Sequence, residues 1–112
     1  MSECLFCRIV AREIPAQLIF EDAQIVAFKD IDPKAPTHVL VIPKKHIARL
    51  SEASDEDALL LGQVQRAAAK IAADAGLESF RLVVNNGRGA GQTVFHVHYH
   101  LLGGRPLEWP PG

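Results

Sequence analysis

The five residues 96–100, which read HVHYH, constrain the fold more than any other stretch of this sequence. Side chains two residues apart in a β-strand point to the same face, so the alternation predicts a strand, which we extend over 93–102. The histidines would share one face at spacings of about 6.5–7 Å, and Val97, Tyr99 and Leu101 would share the other. Because three imidazoles build a poor core, the pattern predicts a sheet with one packed face and one functional face.

Four further strands and two helices are predicted around this segment. Apolar residues at helical spacing predict a short helix over 4–12, which Pro15 ends. Runs of β-branched and aromatic residues predict strands over 18–21, 25–29, 37–42 and 80–84, the first two joined by a three-residue turn. These elements favour an α+β fold, an antiparallel sheet covered by helices on one face.

The second helix is predicted to be the long one. It would begin after Ser54, where Asp57 completes a capping box, and would end at Gly76. Its apolar face is predicted to comprise Leu60, Val64, Ala67, Ala68, Ile71 and Ala75.

Size and charge limit the class of protein. A chain of 112 residues can bury one continuous core, so a single domain over 1–112 is predicted. The net charge is −1 and no basic run exceeds Lys44-Lys45, which argues against an electrostatic nucleic-acid binder. Apolar runs of the ~20 residues that a membrane span needs are absent from the sequence, so no membrane contact is predicted.

The N-terminal segment and the cysteines indicate the compartment. Arg8 and Arg12 interrupt the apolar residues of this segment, so no signal peptide is predicted and a cytoplasmic location is expected. In that reducing compartment the only two cysteines, Cys4 and Cys7, are not expected to form a stable disulfide. Their C-x-x-C spacing therefore needs another explanation.

Two chemistries compete for the three clustered histidines. Neutral imidazoles are common metal ligands, and an imidazole oriented by its neighbours can also act as a nucleophile. Three rings so close resist joint protonation, so at least one is expected to be neutral near pH 7. The preceding segment 85–93, NNGRGAGQT, offers backbone N–H groups, amides and a hydroxyl, and its glycines allow close approach to an anion.

Several segments together resemble the histidine triad family, and most closely its Hint branch, the purine nucleoside phosphoramidases. The signature segment is GQTVFHVHYHLLGGRP, and the others are FCRIVAREIPA, FKDIDPKAPTHVLVIPKKHI, NNGRGAGQ and WPPG. The resemblance implies a protomer with a five-stranded antiparallel sheet, one long helix and one short helix. It also implies a homodimer in which the two sheets join into one.

The resemblance assigns chemistry to four residues. It implies that His98 attacks phosphorus to form a nucleotidyl-histidine intermediate, which water then cleaves. It implies that His100 contacts phosphate and relays a proton, and that His38 hydrogen-bonds within the cluster from the adjoining strand. Thr93 stands where serine is commoner, and because its hydroxyl survives we expect an altered rate rather than lost function.

The resemblance also implies a pocket for a purine nucleotide of the AMP or GMP type. Asp30 would bind the ribose hydroxyls, and Trp109 would reach the active site of the partner subunit. The other implied contacts are Phe6, Ile9, Phe28 and Ile31 for the base, and Asn85, Gly91 and Thr93 for the phosphate and leaving group. Taken singly, the apolar members of this set would be expected in a core.

A structural zinc site is implied by the same resemblance. A C-x-x-C pair with two histidines is a tetrahedral zinc pattern, and the matching positions are Cys4, Cys7, His46 and His96. Four protein ligands leave no open position, so this zinc would be structural and the reaction would need no catalytic cofactor.

The leading interpretation is a metal-independent hydrolase that cleaves the P–N bond of purine nucleoside 5′-phosphoramidates. Three alternatives stay open at this point. One is a zinc-dependent hydrolase with its metal on the HVHYH rings, and another is a nucleotide-binding regulatory partner protein. The third is a dinucleoside polyphosphate hydrolase or nucleotidyl transferase of the same family, and the WPPG ending argues against the polyphosphate hydrolase.

Overall fold

The computed structural model describes residues 3–112, so Met1 and Ser2 of the expected domain lie outside the described residues. The described residues form the predicted α+β fold, with a five-stranded antiparallel sheet in the order β1-β2-β3-β5-β4. The elements are α1 (Leu5–Val10), β1 (Leu18–Glu21), β2 (Ile25–Lys29), β3 (Thr37–Pro43), α2 (Ala58–Asp74), β4 (Phe80–Val84) and β5 (Tyr99–Gly103). The sheet therefore ends at β1 on one edge and at β4 on the other.

The β1–β2 hairpin turns where the sequence predicts. The Asp22 carboxylate accepts hydrogen bonds from the backbone N–H groups of Gln24 and Ile25, both at 2.8 Å. An aspartate that satisfies two donors of a tight turn favours this short connection. Because β2 then ends at Lys29, the hairpin places Asp30 directly after an interior strand of the sheet.

The long helix begins with a turn of 3₁₀ helix, Asp55–Asp57, before α2. The Ser54 backbone N–H donates to the Asp57 carboxylate at 3.0 Å, which is the predicted capping contact. Gly76 follows the helix in the left-handed conformation, with φ +76°. Among residues 3–112, no helix has the length and apolar character that crossing a membrane requires.

The apolar face of α2 differs from the prediction at its two ends. The structure confirms the four central members, Val64, Ala67, Ala68 and Ile71, as buried. Ala75 is exposed, and Leu60 is outside the core cluster. Leu61 and Ala72 take their places. Leu60, Leu61, Ala72 and Ala75 all lie three or four residues from a confirmed member, so helical spacing alone does not decide which of them the sheet covers.

The two helices lie on opposite faces of the sheet, whereas the sequence predicted both on one face. The larger core cluster joins α2 to Ala27, Val39, Val41, Tyr99 and Leu101. The smaller cluster joins Phe6 and Ile9 of α1 to Val26, Phe28, Leu40 and Ile42. Successive strand residues point to opposite faces, so a strand such as β3, which is buried along nearly its whole length, needs cover on both.

The histidine segment is a strand only in its second half. The prediction of one strand over 93–102 is wrong at its start, because His96 and His98 both precede β5. The Val97 N–H donates to the Ile47 carbonyl oxygen at 2.7 Å, outside the β-ladder. The alternation of faces persists all the same: Val97 belongs to the α2-side core, as predicted, while His96 and His98 lie on the α1 side.

Candidate functional site

A cavity of about 330 Å³ opens on the α1 side of the sheet, a volume typical of small-molecule sites. Its walls are mainly apolar, and the polar side chains among them are Asp30, Thr93, His98 and His100. The predicted site residues that line it are Phe6, Ile9, Phe28, Asp30, Ile31, Thr93, His98 and His100. Of these, Ile31 is fully exposed and stands at the rim.

His98 is held in a single tautomer by the chain that precedes it. Its Nδ1 lies 2.7 Å from the His96 carbonyl oxygen, and because a carbonyl only accepts, the proton must be on Nδ1. The Nε2 of a neutral ring then carries a lone pair. The Phe6 ring packs edge-on against the imidazole, with ring centroids 5.0 Å apart, and limits its rotation. The side chain therefore offers an oriented, unprotonated nitrogen.

His38 and His100 form a hydrogen-bonded pair in which each ring carries its proton on Nε2, whereas His98 carries its proton on Nδ1. The Lys34 backbone N–H donates to His38 Nδ1 at 3.0 Å, so the proton of a neutral His38 is on Nε2. That Nε2–H donates to His100 Nδ1 at 2.9 Å, which leaves the proton of a neutral His100 on its own Nε2. The chain of donors thus ends in an N–H group on a ring that lines the cavity.

Burial favours the neutral forms on which these tautomers depend. Desolvation lowers the pKa of His38 and of His98, and it lowers the pKa of His100 to about 4. The Asp30 carboxylate opposes the shift of all three, most closely at His38, where Oδ2 lies 3.3 Å from Nε2. The Asp30 carboxylate also accepts the Asp32 backbone N–H at 2.8 Å, which fixes its position at the cavity.

The four predicted zinc ligands come together beside this cavity. The ligand atoms of Cys4, Cys7, His46 and His96 all lie within 4.8 Å of one another. The two Nδ1 atoms are 3.3 Å apart, and Cys7 Sγ is 3.3 Å from His46 Nδ1 and 3.5 Å from His96 Nδ1. Cys4 Sγ is 3.4 Å from His96 Nδ1. A tetrahedral zinc ion has bonds of about 2.05 Å to nitrogen and 2.3 Å to sulfur. It therefore requires about 3.3 Å between two nitrogen ligands and about 3.6 Å between a nitrogen and a sulfur ligand.

The protonation of His96 also suits a metal ligand. Its Nε2–H donates to the Pro43 carbonyl oxygen at 2.7 Å, which leaves the lone pair on Nδ1, the atom that faces the cysteines. Desolvation lowers the pKa of this ring to about 4. The cluster can therefore hold a divalent metal with the preferences of zinc, and of the two rings only His98 lines the cavity.

Comparison with known proteins assigns the fold to a family. The sequence model of the HIT domain matches residues 11–107. The chain belongs to the HIT family. An uncharacterized HIT-like protein of Synechocystis is 54% identical over 112 residues, which cover 99% of this chain and 98% of that protein.

Solved structures of HIT proteins superpose closely on this chain. A HIT family hydrolase from Legionella pneumophila has a TM-score of 0.96 and 53% identity, over 98% of this chain and 100% of that one. A zinc-bound histidine triad family protein from Mycobacterium smegmatis has a TM-score of 0.80 and 34% identity, over 92% of this chain and 76% of that one.

Three predicted contacts of the HIT site lie outside the cavity. A Cβ built on Gly91, whose φ is +96°, would lie 3.8 Å from Asn85 Nδ2, so these two residues are neighbours. Within the described chain neither lines the cavity, which only Thr93 of this loop reaches. Trp109 is 81% exposed and lies near the β4 edge, with the Arg81 guanidinium 5.9 Å from its ring centroid.

Gln92 is a site-organising residue that the sequence analysis did not single out. Its buried amide donates to the Ala48 carbonyl oxygen at 2.8 Å and to that of Val94 at 3.1 Å. Its Oε1 accepts the Gly87 N–H at 2.8 Å, which ties the glycine-rich loop to the histidine segment. An amide side chain between glycines and a strand is the signal that could have found it.

Proposed function

We propose that this HIT protein is a Hint-type hydrolase that cleaves the P–N bond of purine nucleoside 5′-phosphoramidates. The observation that carries the proposal is the pairing of tautomers in one cavity: Nε2 is unprotonated on His98 and protonated on His100. The two ring centroids are 5.0 Å apart. A nucleophile beside a proton donor is what displacement of an amine from phosphorus requires. The Legionella relative, a HIT family hydrolase, supports a hydrolytic reaction.

The first step makes a covalent intermediate. His98 Nε2 forms a bond to phosphorus while the P–N bond of the substrate breaks. The departing nitrogen takes a proton from His100 Nε2, which leaves the His38–His100 pair with one negative charge beside the positive charge that forms on His98. His98 keeps its Nδ1–H on the His96 carbonyl oxygen, so the nucleotidyl-imidazole is cationic. A cationic imidazole is a good leaving group, which prepares the next step.

The second step releases the nucleotide. Water attacks phosphorus, the bond to His98 Nε2 breaks, and the proton that water loses restores the His38–His100 pair. The net reaction consumes one water and yields a nucleoside 5′-monophosphate and an amine. Thr93, Asn85 and Gly91 are proposed to contact the phosphate and the leaving group. Thr93 lines the cavity, which supports its part in this role.

The apolar part of the cavity is the proposed site of the purine. Phe6 and Phe28 meet edge to face with ring centroids 5.3 Å apart, and Ile9 is buried beside them. Ile31 at the rim is fully exposed, so a base seated below it would cover its side chain. Asp30 lines the same cavity, which supports the proposal that its carboxylate accepts the ribose hydroxyls.

Replacing Asp30 by alanine is expected to weaken AMP binding about 10- to 100-fold, because hydrogen bonds to a carboxylate contribute about 1.5–3 kcal/mol. The turnover number should change less, because loss of the carboxylate removes only an effect that raises the pKa of the three histidines, which therefore stay neutral. Calorimetric titration with AMP and with 2′,3′-dideoxy-AMP measures the effect. The matched control is Asp32→Ala, in the same loop with an exposed carboxylate.

The two nucleotides make the ribose assignment testable. Wild-type protein should prefer AMP to the dideoxy analogue, and Asp30→Ala should bind both alike. An Asp30→Ala variant that keeps the full preference for AMP contradicts a ribose contact.

We also propose that the single domain, residues 1–112, works as a homodimer in the cytoplasm. β4 is an edge strand, so a second β4 could extend the sheet across the interface. The C-terminal tail lies along this edge, where Arg81 donates to the Glu108 carbonyl oxygen at 2.9 Å. Dimerisation at this edge would carry Trp109 toward the partner subunit and its active site.

Structural zinc is proposed at Cys4, Cys7, His46 and His96. The near-tetrahedral edge lengths support it, and so does the zinc-bound relative from Mycobacterium smegmatis. Bound there, zinc would cross-link α1 to the segment before β5. That cross-link would fix Phe6 of α1 against His98.

A zinc-dependent hydrolase, with metal on the catalytic rings, is less well supported. His96 Nδ1 faces the cysteines and His98 Nδ1 is protonated on a carbonyl, so the rings do not converge on one point. Asp30, His38 and His100 do place ligand atoms within 4.8 Å of one another. The 2.9 Å between His38 and His100, however, is the length of a hydrogen bond and shorter than a tetrahedral edge of about 3.3 Å.

The decisive experiment traps the intermediate. Enzyme is quenched in acetonitrile during turnover of an adenosine 5′-phosphoramidate of a simple amine, digested, and analysed by mass spectrometry. An adenylyl group on the peptide that contains His98 is the expected result. Steady turnover with no adduct on any histidine, in samples quenched at neutral and alkaline pH, would mean direct attack by water.

A further inference from the structure

The turn after β5 is fastened to the loop 30–36, which carries Asp30 and leads to His38. The Arg105 guanidinium donates twice to the Lys34 carbonyl oxygen, from Nη2 at 2.8 Å and from Nε at 3.3 Å. Its Nη1 donates to the Pro106 carbonyl oxygen at 2.9 Å, which fixes the plane of the guanidinium. Arg105 therefore holds the backbone at Lys34 through two hydrogen bonds to one carbonyl oxygen, and we call this contact the clamp.

The backbone of Gly104 packs closely against Pro36 and so also holds the turn after β5 to the loop 30–36. Gly104 has φ +91°, and a Cβ at this position would come within 2.9 Å of Pro36 Cβ. Only glycine accommodates both the left-handed conformation and the contact. The turn and the loop are thus packed together where the pairing of β3 with β5 ends, at Thr37 and Gly103.

The backbone of Lys34 connects this clamp to His38. Its carbonyl oxygen is held by Arg105, and its N–H is the donor that fixes the tautomer of His38. The Lys34 side chain turns away to an exposed ion pair with Asp32, at 2.6 Å. The link from Arg105 to His38 therefore depends on where the main chain at Lys34 is held.

We propose that Arg105 is a positioning residue that sets the tautomers of the His38–His100 pair. This inference rests on the proposed function, in which His100 Nε2 gives a proton to the departing amine. Without the clamp, the Lys34 N–H no longer holds His38 Nδ1 unprotonated. His38 can then carry its proton on Nδ1 and accept at Nε2. His100 must in turn donate from Nδ1, and its Nε2 at the cavity loses the proton. The Asp30 carboxylate, 3.3 Å from His38 Nε2, still favours the original tautomer, so the switch is partial.

The consequence is specific to the chemical step. Each ring still holds one proton after the switch, so the net charge of the site does not change. His98 keeps its own hydrogen bond to the His96 carbonyl oxygen and remains a nucleophile. The departing amine, in contrast, loses its positioned donor. A positioned proton donor contributes about 10²–10⁴-fold to a rate, and a switch that is only partial removes a share of this.

The test compares Arg105→Ala and Arg105→Lys with Arg66→Ala, which removes an exposed arginine from α2. Protein labelled with ¹⁵N-histidine reports the tautomer of each ring by NMR, without substrate. Wild type and Arg66→Ala should show protonated Nε2 on both His38 and His100. Arg105→Ala should show a mixture of tautomers at both rings, and Arg105→Lys, which keeps a donor but not the fork, should lie between.

Kinetics supply the second readout. Arg105→Ala should lower kcat for the phosphoramidate about tenfold, as a share of that proton-donor contribution, with KM within about twofold. Unchanged tautomers in Arg105→Ala overturn the inference, as does an equal loss of kcat in Arg66→Ala. If wild-type protein has no phosphoramidase turnover, the proposed function fails, while the NMR spectra still decide whether Arg105 sets the tautomers.

Discussion

Replacing His98 by alanine is expected to lower the turnover of an adenosine 5′-phosphoramidate by about 10⁴-fold or more, while AMP still binds. A nucleophile that forms the covalent intermediate cannot be replaced by its neighbours, and losses of this order follow when such groups are removed. His100 cannot take over, because its Nδ1 accepts the hydrogen bond from His38 and its Nε2 carries the proton. Nucleoside binding should persist, because Asp30 and the apolar wall remain. Single-turnover kinetics and AMP titration measure the two effects separately.

Chemical rescue provides the control for this variant. His98→Gly leaves a gap where the ring stood, and added imidazole can occupy it and present a free nitrogen to phosphorus. We expect imidazole to restore part of the turnover of His98→Gly and to leave the wild-type rate unchanged. A variant at position 98 with near-normal turnover would contradict the covalent mechanism, and lost AMP binding would show that the pocket itself had collapsed.

The sheet was predictable because its strands carry their patterns locally. Alternation, β-branched runs and the Asp22 turn are properties of neighbouring residues, and the observed strands follow them closely. The helix placement was not predictable in the same way. β2 and β3 read as continuous apolar runs, which indicate cover on both faces, and α1 supplies the second cover through Phe6.

The predicted start of the histidine strand was wrong because the cause lies far away in the sequence. Residues 96–98 have the alternation of a strand, but Val97 bonds to Ile47 and the His96 ring to Pro43. These partners are some fifty residues distant, and no local pattern predicts them. The predicted faces of the sheet were still correct. Alternate residues of this extended segment point to opposite sides even where it forms no β-ladder.

The identity of the site residues came from motifs, whereas their protonation came only from the structure. The sequence placed His38, His98 and His100 in one site by resemblance, and gave no reason why one should carry a lone pair and another a proton. That difference depends on two backbone groups, the His96 carbonyl oxygen and the Lys34 N–H. Main-chain positions of this kind follow from the fold as a whole.

Removing zinc is expected to lower the melting temperature of the holoprotein by about 10–20 °C without abolishing turnover at room temperature. A ligand at a thousandfold excess over its dissociation constant stabilises the folded state by about 4 kcal/mol, and a domain of this size shifts by about 3–5 °C per kcal/mol. The cluster joins α1 to the segment before β5, so the loss should loosen α1 first. Calorimetry with and without a strong chelator, together with the zinc content per chain, measures the effect.

The double variant Cys4→Ser/Cys7→Ser separates the metal from the cysteines as structural residues. Cys4 is the N-cap of α1, where its sulfur accepts the Cys7 N–H at 3.4 Å, and serine is itself a good N-cap. The variant should therefore melt like chelated wild-type protein, and chelator should not lower its melting temperature further. If chelation instead abolished turnover at an unchanged melting temperature, the metal would belong to the reaction. The zinc-dependent alternative would then replace attack by His98.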